Sequence, residues 1–304
     1  MKIYVRDTSY QTMIQEKFQN KLQLVERKEA AEILITGNYQ QTDHHPNHKI
    51  VIIPYTGHDN IDIDLLKKHN IKLFNTTVHS KYVAEKAVHL MQALLGNTID
   101  YHRRMQQGDW SNRNSKDRIS WVTTFDKKIG IFGYGRIGQW IQTLLRPYTN
   151  AFYTLDRGKD YPNIETVPTL QDLVKTSDIL FVATPHTPET ENAIDDSILQ
   201  SFSNGVIVNV ARGKIIDQNA LYKRLTDGTL RGFASDVWYN YPKNNSITFP
   251  SDLPIHTLEN VVMSPHCAAL TDTAKEEMIA KVADHLNHIL DHNFNEVLDL
   301  KRLK

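Results

Sequence analysis

The chain has 304 residues, of which 35 are Lys or Arg, 35 are Asp or Glu and one is Cys. A formal net charge of zero gives no support to nucleic-acid binding through a broad basic surface, because neutralising phosphates needs a local excess of Lys and Arg. The single cysteine cannot form an internal disulfide, which fits a reducing compartment. Residues 1–7 lack the apolar core of a signal peptide. No apolar run approaches the roughly 18–20 residues that span a bilayer. The composition therefore predicts a cytoplasmic protein without a membrane span.

The first hundred residues alternate short apolar runs with stretches of helical spacing. Residues 10–18 and 61–69 carry apolar side chains at the period of a helix. Strands that alternate with helices favour parallel pairing in an α/β layer structure. The predicted strands of this part are rich in Val, Ile and Leu, are bounded by polar residues and cover residues 3–5, 22–25, 33–35, 50–53 and 72–74.

The middle of the chain begins with a long predicted helix and continues as a second α/β series. From residue 81 the apolar residues keep a near-3.6 period, and the helix is expected to run on toward residue 108 with Gly96 and Asn97 as the place for a kink. Residues 111–118 contain no apolar side chain and predict a loop. The second series then has predicted strands at 128–132, 152–155, 179–183, 206–210 and 261–263, and predicted helices at 136–145, 170–176, 218–226 and 273–291.

A glycine motif follows the first strand of the second series. Gly133, Gly135 and Gly138 come directly after that apolar run and open a predicted helix, and Asp156 ends the next strand 18 residues past Gly138. This arrangement is the fingerprint of a dinucleotide-binding turn. The first glycine permits the tight turn, the second lets the backbone approach the pyrophosphate, and the third lets the helix pack closely on the sheet. The helix N-terminus then offers unpaired N–H groups to the phosphates.

Asp156 also bears on which dinucleotide the chain binds. A carboxylate at the end of this strand accepts hydrogen bonds from the ribose hydroxyls and repels a 2′-phosphate. Arg157 follows immediately and would attract such a phosphate. The carboxylate must lie against the ribose, whereas Arg157 can turn to solvent. The sequence therefore favours NAD over NADP.

Several motifs downstream of the glycine turn, with two upstream of it, resemble a known family. Six segments carry the resemblance: Val-Asn-Val-Ala-Arg-Gly at 208–213, Ala-Ser-Asp-Val at 234–237, Ser-Pro-His at 264–266, Pro-His-Thr-Pro-Glu-Thr at 185–190, Asp-Asn-Ile-Asp at 59–62 and Val-Ala-Glu at 83–85. Taken together, and in their order along the chain, they resemble the D-isomer-specific 2-hydroxyacid dehydrogenases over about residues 50–275. That family includes phosphoglycerate dehydrogenases, glyoxylate/hydroxypyruvate reductases and the C-terminal-binding corepressors.

The resemblance implies an α/β fold with two domains. A flavodoxin-like substrate domain is expected to comprise residues 1–97 and 271–304, and a Rossmann-type NAD-binding domain, residues 98–270, is expected to be inserted into it. Family members are usually dimers built on the cofactor domain, which implies a homodimer here. Besides the three glycines, Asp156 and Arg157, the implied cofactor-binding residues are Arg136, Ile137, Thr184, Pro185, Val210, Ala211 and Asp236.

The resemblance also implies the residues that act on the substrate. In the family, the arginine at the position of Arg212 binds the 2-oxo acid, the histidine at the position of His266 is the acid/base, and main-chain amides of the loop matching Gly57 and His58 hold the substrate carboxylate. The chemistry agrees, because a planar guanidinium can bind a carboxylate while polarising the carbonyl beside it. A hydride arriving at that carbonyl leaves oxyanion charge, and histidine is the proton donor suited to neutral pH.

The sequence departs from the family at its third catalytic residue. The family has a glutamate five positions after the aspartate of the 234–237 motif, and this chain has Tyr241 there. Tyrosine is neutral at pH 7, so it can hydrogen-bond His266 but supplies no charge interaction with the imidazolium. The family's formate dehydrogenases also lack this glutamate and use glutamine, so hydride transfer does not strictly require it. They are longer chains with N-terminal features absent here, which argues against formate.

Two functional interpretations follow. The first is a reductase of a small 2-oxo acid that uses NADH, and the second is a catalytically weakened relative that binds NAD(H) as a sensor or scaffold. The presence of both Arg212 and His266 favours the enzyme, since binding alone needs no proton donor opposite a carboxylate anchor. No metal is predicted, because neither of two histidine clusters has an acid or cysteine at a recognised ligand spacing. The clusters are His44, His45 and His48, and His285, His288 and His292.

Overall fold

The structure is a computed structural model that describes residues 1–114, 120–243 and 246–302. Its strands in chain order are β1 Lys2–Val5, β2 Gln23–Leu24, β3 Ile33–Ile35, β4 Ile50–Ile53, β5 Lys72–Asn75, β6 Ile129–Phe132, β7 Phe152–Leu155, β8 Glu165–Val167, β9 Ile179–Val182, β10 Val206–Asn209, β11 Gly232–Ser235 and β12 Val261–Met263. Its α-helices are α1 Thr8–Phe18, α2 Ile63–Lys68, α3 Ser80–Leu95, α4 Thr98–Gln106, α5 Ser111–Asn114, α6 Arg136–Leu145, α7 Leu170–Thr176, α8 Asp196–Gln200, α9 Gln218–Thr226 and α10 Ala274–Leu290.

The chain divides into two compact units. The terminal unit consists of Met1–Ser80 and Ala269–Lys304, and the central unit consists of Lys81–Ala268. The predicted domain boundaries lie at residues 97/98 and 270/271, so the first observed boundary falls earlier. The reason is that α3 belongs to the central unit. Its Leu94 side chain would lie 3.1 Å from a Cβ at Gly232, and its Leu95 carbonyl accepts a 2.8 Å hydrogen bond from Val122 N.

The terminal unit contains a five-stranded parallel sheet in the order β2-β1-β3-β4-β5. This is the strand order of flavodoxin-like folds. Both faces of the sheet are covered, which is why β3 and β4 are buried along their whole length. One face packs against Ile14 and Phe18 of α1 and against Val282 and Leu286 of α10, and the other packs against α2.

The central unit contains a seven-stranded parallel sheet in the order β12-β11-β10-β9-β6-β7-β8. The chain reverses its direction of growth between β6 and β9, and ligands of open α/β sheets bind outside the carboxyl ends of the strands at such a switch point. Four inner strands, β6, β9, β10 and β11, are fully buried. The predicted α/β fold with a Rossmann-type unit is therefore confirmed.

Most predicted elements are present, with differences at a few places. The long helix ends at Leu95 and restarts as α4, because Asn97 adopts a left-handed conformation with φ 48°. The loop prediction for 111–118 is wrong for its first four residues, which form α5, and residues 115–118 lie outside the described residues. The short strand β8 was not predicted, because it is an edge strand whose residues Glu165 and Thr166 are exposed.

Among the described residues, no helix has both the length and the apolar character needed to cross a membrane.

Candidate active site

The glycine motif forms a tight turn between β6 and α6. Gly133 has φ 105°, in the region that side chains rarely adopt. A Cβ at this position would lie 2.5 Å from the Thr184 amide nitrogen and 2.6 Å from the Ala183 carbonyl carbon. Glycine is therefore required where the turn passes under the end of β9.

Gly138 and Gly135 have different surroundings. A Cβ at Gly138 would lie 2.6 Å from the Gly133 carbonyl oxygen and 2.9 Å from Ile131 Cγ2, so its absence lets α6 pack on the sheet. A Cβ at Gly135 would meet nothing within 4 Å. Gly135 is the residue before the first turn of α6, where main-chain N–H groups have no partner within the helix. This open space beside a positive helix end fits the pyrophosphate of a dinucleotide.

The other predicted cofactor residues lie at the same edge of the central sheet. Asp156 follows β7, where it is exposed and its Oδ1 accepts a 2.8 Å hydrogen bond from Gly158 N. The remaining residues open α6 or follow β7, β9 and β10, all at the carboxyl ends of parallel strands: Arg136, Ile137, Arg157, Thr184, Pro185, Val210 and Ala211.

Arg212 is held in a turn after β10 by a buried asparagine. Asn209 Nδ2 donates a 3.0 Å hydrogen bond to the Arg212 carbonyl, and Asn209 Oδ1 accepts one of 3.0 Å from Ala211 N. The guanidinium of Arg212 donates through Nη1 to the Ala211 carbonyl at 2.7 Å. Gly213 follows, and a Cβ there would lie 2.4 Å from the Trp238 carbonyl group. The turn that carries Arg212 therefore packs directly on the segment after β11.

His266 lies in a turn after β12 and has a left-handed backbone conformation, with φ 55°. Such a conformation costs about 1–3 kcal/mol and persists only where the surroundings impose it. Here Asp236, which is 1% exposed, imposes it. Its carboxylate accepts hydrogen bonds from Cys267 N at 3.0 Å, from Ala268 N at 2.8 Å and from Ser264 Oγ. The residues on both sides of His266 are therefore fixed to one buried carboxylate.

Asp236 was predicted to bind the cofactor, and the structure shows that most of its hydrogen-bonding capacity serves the His266 turn. An ionised carboxylate has about four lone-pair sites, of which three are used here. One site remains for an external donor, so cofactor binding by Asp236 stays a prediction.

Tyr241 lies beside the imidazole of His266. The two ring centroids are 5.4 Å apart with an interplanar angle of 50°, and the Tyr241 hydroxyl accepts a 3.1 Å hydrogen bond from Trp238 N. Trp238 also donates through Nε1 to the Ser264 carbonyl at 2.9 Å. The Trp238 segment therefore contacts the Gly213 turn, Tyr241 and the His266 turn, and it links the predicted site residues of the central unit.

Gly57 and His58 lie in the terminal unit, in a loop that follows β4. Thr76 Oγ1 donates to the Pro54 carbonyl at 2.7 Å, and Asn75 Nδ2 donates to the Thr56 carbonyl at 3.0 Å, so the end of β5 holds the start of this loop. Within the described part of the chain, the main-chain amides of Gly57 and His58 donate no hydrogen bond. Two adjacent free amides suit a carboxylate ligand.

One buried histidine of each predicted cluster has structural partners. In the first, His48 is 4% exposed, with Nε2 2.8 Å from the Lys28 carbonyl and Nδ1 2.9 Å from the Tyr39 hydroxyl. In the second, His285 is 2% exposed, with Nε2 3.0 Å from the Asn75 carbonyl and Nδ1 3.0 Å from Glu296 Oε2. Among the described residues, no group of three or more His, Cys, Asp or Glu side chains is arranged to hold a metal ion.

Sequence reasoning missed several residues that build the site. Asn209, Ser264 and Trp238 position the turns of Arg212 and His266 without being predicted to act. Asn209 and Ser264 each stand next to a buried apolar strand, and a polar residue at such a place is the available sequence signal. Trp238 gave no signal of its own, because a tryptophan in this position is equally typical of a core residue.

The fold and this site define a dinucleotide-binding dehydrogenase. Residues 88–268 match the family described as D-isomer specific 2-hydroxyacid dehydrogenase, NAD binding domain. The chain is 33% identical to the glyoxylate reductase of Pyrococcus horikoshii over 251 residues, which cover 79% of this chain and 73% of that protein. It is also 33% identical over 245 residues to a glyoxylate/hydroxypyruvate reductase of Arabidopsis thaliana, covering 79% of this chain and 75% of the relative.

Among solved structures, the NAD complex of the NAD-dependent formate dehydrogenase of Staphylococcus aureus is similar, with a TM-score of 0.77, 26% identity and coverage of 96% of both chains. The chain therefore belongs to the D-isomer-specific 2-hydroxyacid dehydrogenase family. Membership, with the geometry of the glycine turn, makes NAD its cofactor.

Proposed function

We propose that the protein is an NAD-dependent D-2-hydroxyacid dehydrogenase that reduces a small 2-oxo acid. The observation that carries this proposal is that Arg212 and His266 follow the carboxyl ends of β10 and β12, and that the turns of both contact the Trp238 segment. Relatives at 33% identity are named for the reduction of glyoxylate or hydroxypyruvate, which supports the same class of substrate.

Each predicted residue has a role in this reaction. Arg212 binds the substrate carboxylate and polarises the neighbouring carbonyl, and His266 donates the proton that neutralises the developing alkoxide. The amides of Gly57 and His58 are proposed as further ligands of the substrate carboxylate. NADH, when bound, supplies the hydride. The residues of the glycine turn and the strand ends hold the cofactor and keep its orientation fixed.

The proposal is tested by measuring NADH oxidation with a panel of 2-oxo acids. The panel contains glyoxylate, hydroxypyruvate, pyruvate, phosphohydroxypyruvate and bulkier 2-oxo acids. A separate assay of formate with NAD tests for the activity of the family's formate dehydrogenases. We expect saturable turnover with at least one small 2-oxo acid and none with formate. NADH binding without turnover of any substrate would contradict the proposal and support the sensor or scaffold interpretation.

Asp156 predicts a preference for NADH over NADPH. We expect the dissociation constant for NADPH to be at least about tenfold larger, equivalent to about 1.4 kcal/mol, because the carboxylate repels the 2′-phosphate. Fluorescence titration of both cofactors measures the ratio, and Asp156→Ser should reduce it. Arg157→Ser is the matched control and should leave the preference for NADH in place. Equal dissociation constants in the wild type would contradict the prediction and direct attention to Arg157.

Tyr241→Glu tests whether Tyr241 occupies the place of the family's glutamate. A carboxylate beside an imidazole favours the protonated ring and raises its pKa, and reduction uses that protonated form. We expect the variant to keep reducing its 2-oxo acid at higher pH, with about a tenfold gain in rate for each unit by which the pKa of the imidazole rises. The measurement is kcat/KM against pH. Tyr241→Gln, which is polar but uncharged, is the control, and identical profiles for both variants would contradict the assignment.

We also propose that the chain forms a homodimer through its central unit. Three large aromatic side chains of that unit are more than half exposed within a short stretch: Trp110 at 55%, Phe125 at 59% and Trp121 at 61%. Aromatic residues exposed on one chain are typical of interface cores. We expect light scattering to give twice the mass of one chain, and Trp121→Glu to lower the dimer fraction. Phe249→Ser, which changes an equally exposed aromatic residue elsewhere in the unit, should not.

The single cysteine supports a cytoplasmic location as part of the same proposal, since a reducing compartment keeps thiols free.

A further inference from the structure

The terminal unit contains a buried histidine that contacts the loop of Gly57 and His58. His79 is 6% exposed and follows β5, and its Nε2 lies 3.0 Å from Thr56 Oγ1 and 3.4 Å from the Thr56 amide nitrogen. Its other ring nitrogen, Nδ1, is shielded from solvent and has no hydrogen-bond partner among the described residues. All of these contacts lie within the terminal unit.

The contacts determine which form of the imidazole is present. The hydrogen of a main-chain amide has a fixed direction, and that of Thr56 points at Nε2, so Nε2 must offer a lone pair. The single hydroxyl hydrogen of Thr56 has two acceptors within reach, His79 Nε2 at 3.0 Å and the Thr76 carbonyl at 3.2 Å, and donation to Nε2 agrees with a lone pair on that nitrogen. Burial is the cause that lowers the pKa of His79, and this agrees with a neutral ring at neutral pH. His79 is therefore a neutral acceptor for the loop, with its proton on Nδ1.

Two hydrogen bonds fix the main chain of Thr56, the residue before the free amides: the bond from Asn75 holds the peptide unit that contains the Gly57 amide, and the bond to His79 holds the peptide unit before it. The bonds from Thr76 and Asn75 hold the carbonyls of Pro54 and Thr56, whereas His79 holds the N–H of Thr56. Without an acceptor, this N–H would have to turn toward water, because a buried unpaired amide is costly. Among the described residues, the bond from Asn75 would then be the one left on the main chain of Thr56, so the backbone dihedrals of Thr56, and with them the directions of the Gly57 and His58 amides, would be less closely fixed.

We propose that His79 is a positioning residue for substrate binding: it orients the Thr56 amide so that the amides of Gly57 and His58 point at the substrate carboxylate. This inference rests on the proposed function. His79 does not itself touch the substrate, since its free nitrogen is shielded from solvent. Its removal should therefore weaken carboxylate binding and leave the chemical step intact.

The test compares three variants by two readouts. His79→Leu removes the acceptor, and His79→Gln supplies an uncharged carbonyl oxygen that can accept from the same amide. His48→Leu is the matched control, because His48 is equally buried in the terminal unit and also accepts a main-chain hydrogen bond, from His45 N. One readout is the dissociation constant of oxalate, a small dicarboxylate, from the NADH complex. The other is the separate measurement of KM and kcat for the best 2-oxo acid.

We expect His79→Leu to raise the oxalate dissociation constant and KM about tenfold, with kcat and NADH affinity within about twofold of wild type. His79→Gln and His48→Leu should bind oxalate about as the wild type does. Should His79→Leu fail to fold, His79→Asn replaces it, because its shorter side chain leaves the Thr56 amide unpaired and predicts the same increase.

Three results would overturn the inference: an unchanged oxalate dissociation constant in His79→Leu, equal losses in His79→Gln and His79→Leu, or a fall in kcat in place of a rise in KM. A wild type that turns over no 2-oxo acid would instead contradict the proposed function. The oxalate measurement still decides the role of His79 in that case, because it does not depend on turnover.

Discussion

His266→Asn is expected to lower kcat for 2-oxo acid reduction by about 10²–10⁴-fold, the range that general acid–base catalysis contributes, while NADH binds as before. The amide of asparagine has no proton to give at neutral pH, so the developing alkoxide would depend on water. The cofactor contacts proposed for the glycine turn and the ends of β7, β9 and β10 do not involve this side chain. The measurements are kcat with the best 2-oxo acid and the dissociation constant of NADH.

Asparagine is the substitution of choice because of the backbone at this position. His266 has φ 55°, and asparagine is among the residues that tolerate the left-handed region. The bonds from Cys267 N and Ala268 N to Asp236 should therefore persist, and the loss of rate can be assigned to the imidazole. Cys267→Ser changes the next residue of the same turn and should keep most of the activity. Equal rates in His266→Asn and wild type would show that His266 is not the proton donor.

Arg212→Lys is expected to lower kcat/KM by about 10²-fold, which corresponds to about 2.7 kcal/mol of transition-state stabilisation. Lysine keeps the positive charge but loses the planar pair of donors that binds a carboxylate and polarises the carbonyl beside it. NADH affinity should stay nearly constant, because the proposed role of Arg212 is to bind the substrate. Steady-state kinetics and NADH titration on the same preparation measure both quantities.

The control for Arg212→Lys is Arg224→Lys. Arg224 is 9% exposed and donates to Asp196 through both Nε and Nη2, at 2.8 Å each, so it is also a two-pronged arginine of the central unit. Its replacement should lower stability without changing kcat/KM. A collapse of NADH binding in Arg212→Lys, or full activity in that variant, would contradict the assignment of Arg212 to the substrate.

Much of the fold and of the site could be predicted from the sequence, because these parts depend on local constraints. The strands Ile33–Ile35 and Ile50–Ile53 and the helix Gln218–Thr226 lie where their periodicity placed them. The glycine turn was recognisable because each of its glycines is needed for a separate steric reason. At Gly133 and Gly138 the reason is seen in the structure, since a Cβ at either position would collide with neighbouring atoms. The family motifs likewise lie at strand ends, as their sequence context indicated.

Only the tertiary structure showed which residues pack against these motifs and hold them in place. No periodicity indicates that α3 belongs to the central unit, since an apolar helix face does not by itself specify the sheet on which it packs, and in the structure Leu94 lies beside Gly232. The role of Asp236 in holding the His266 turn, and that of His79 in holding the Thr56 amide, depend on hydrogen bonds between residues that are distant along the chain. Such bonds leave no local pattern, because a buried polar group needs only a partner in space. The sequence by itself therefore determined the class of chemistry, and the folded chain decided how its reactive groups are oriented.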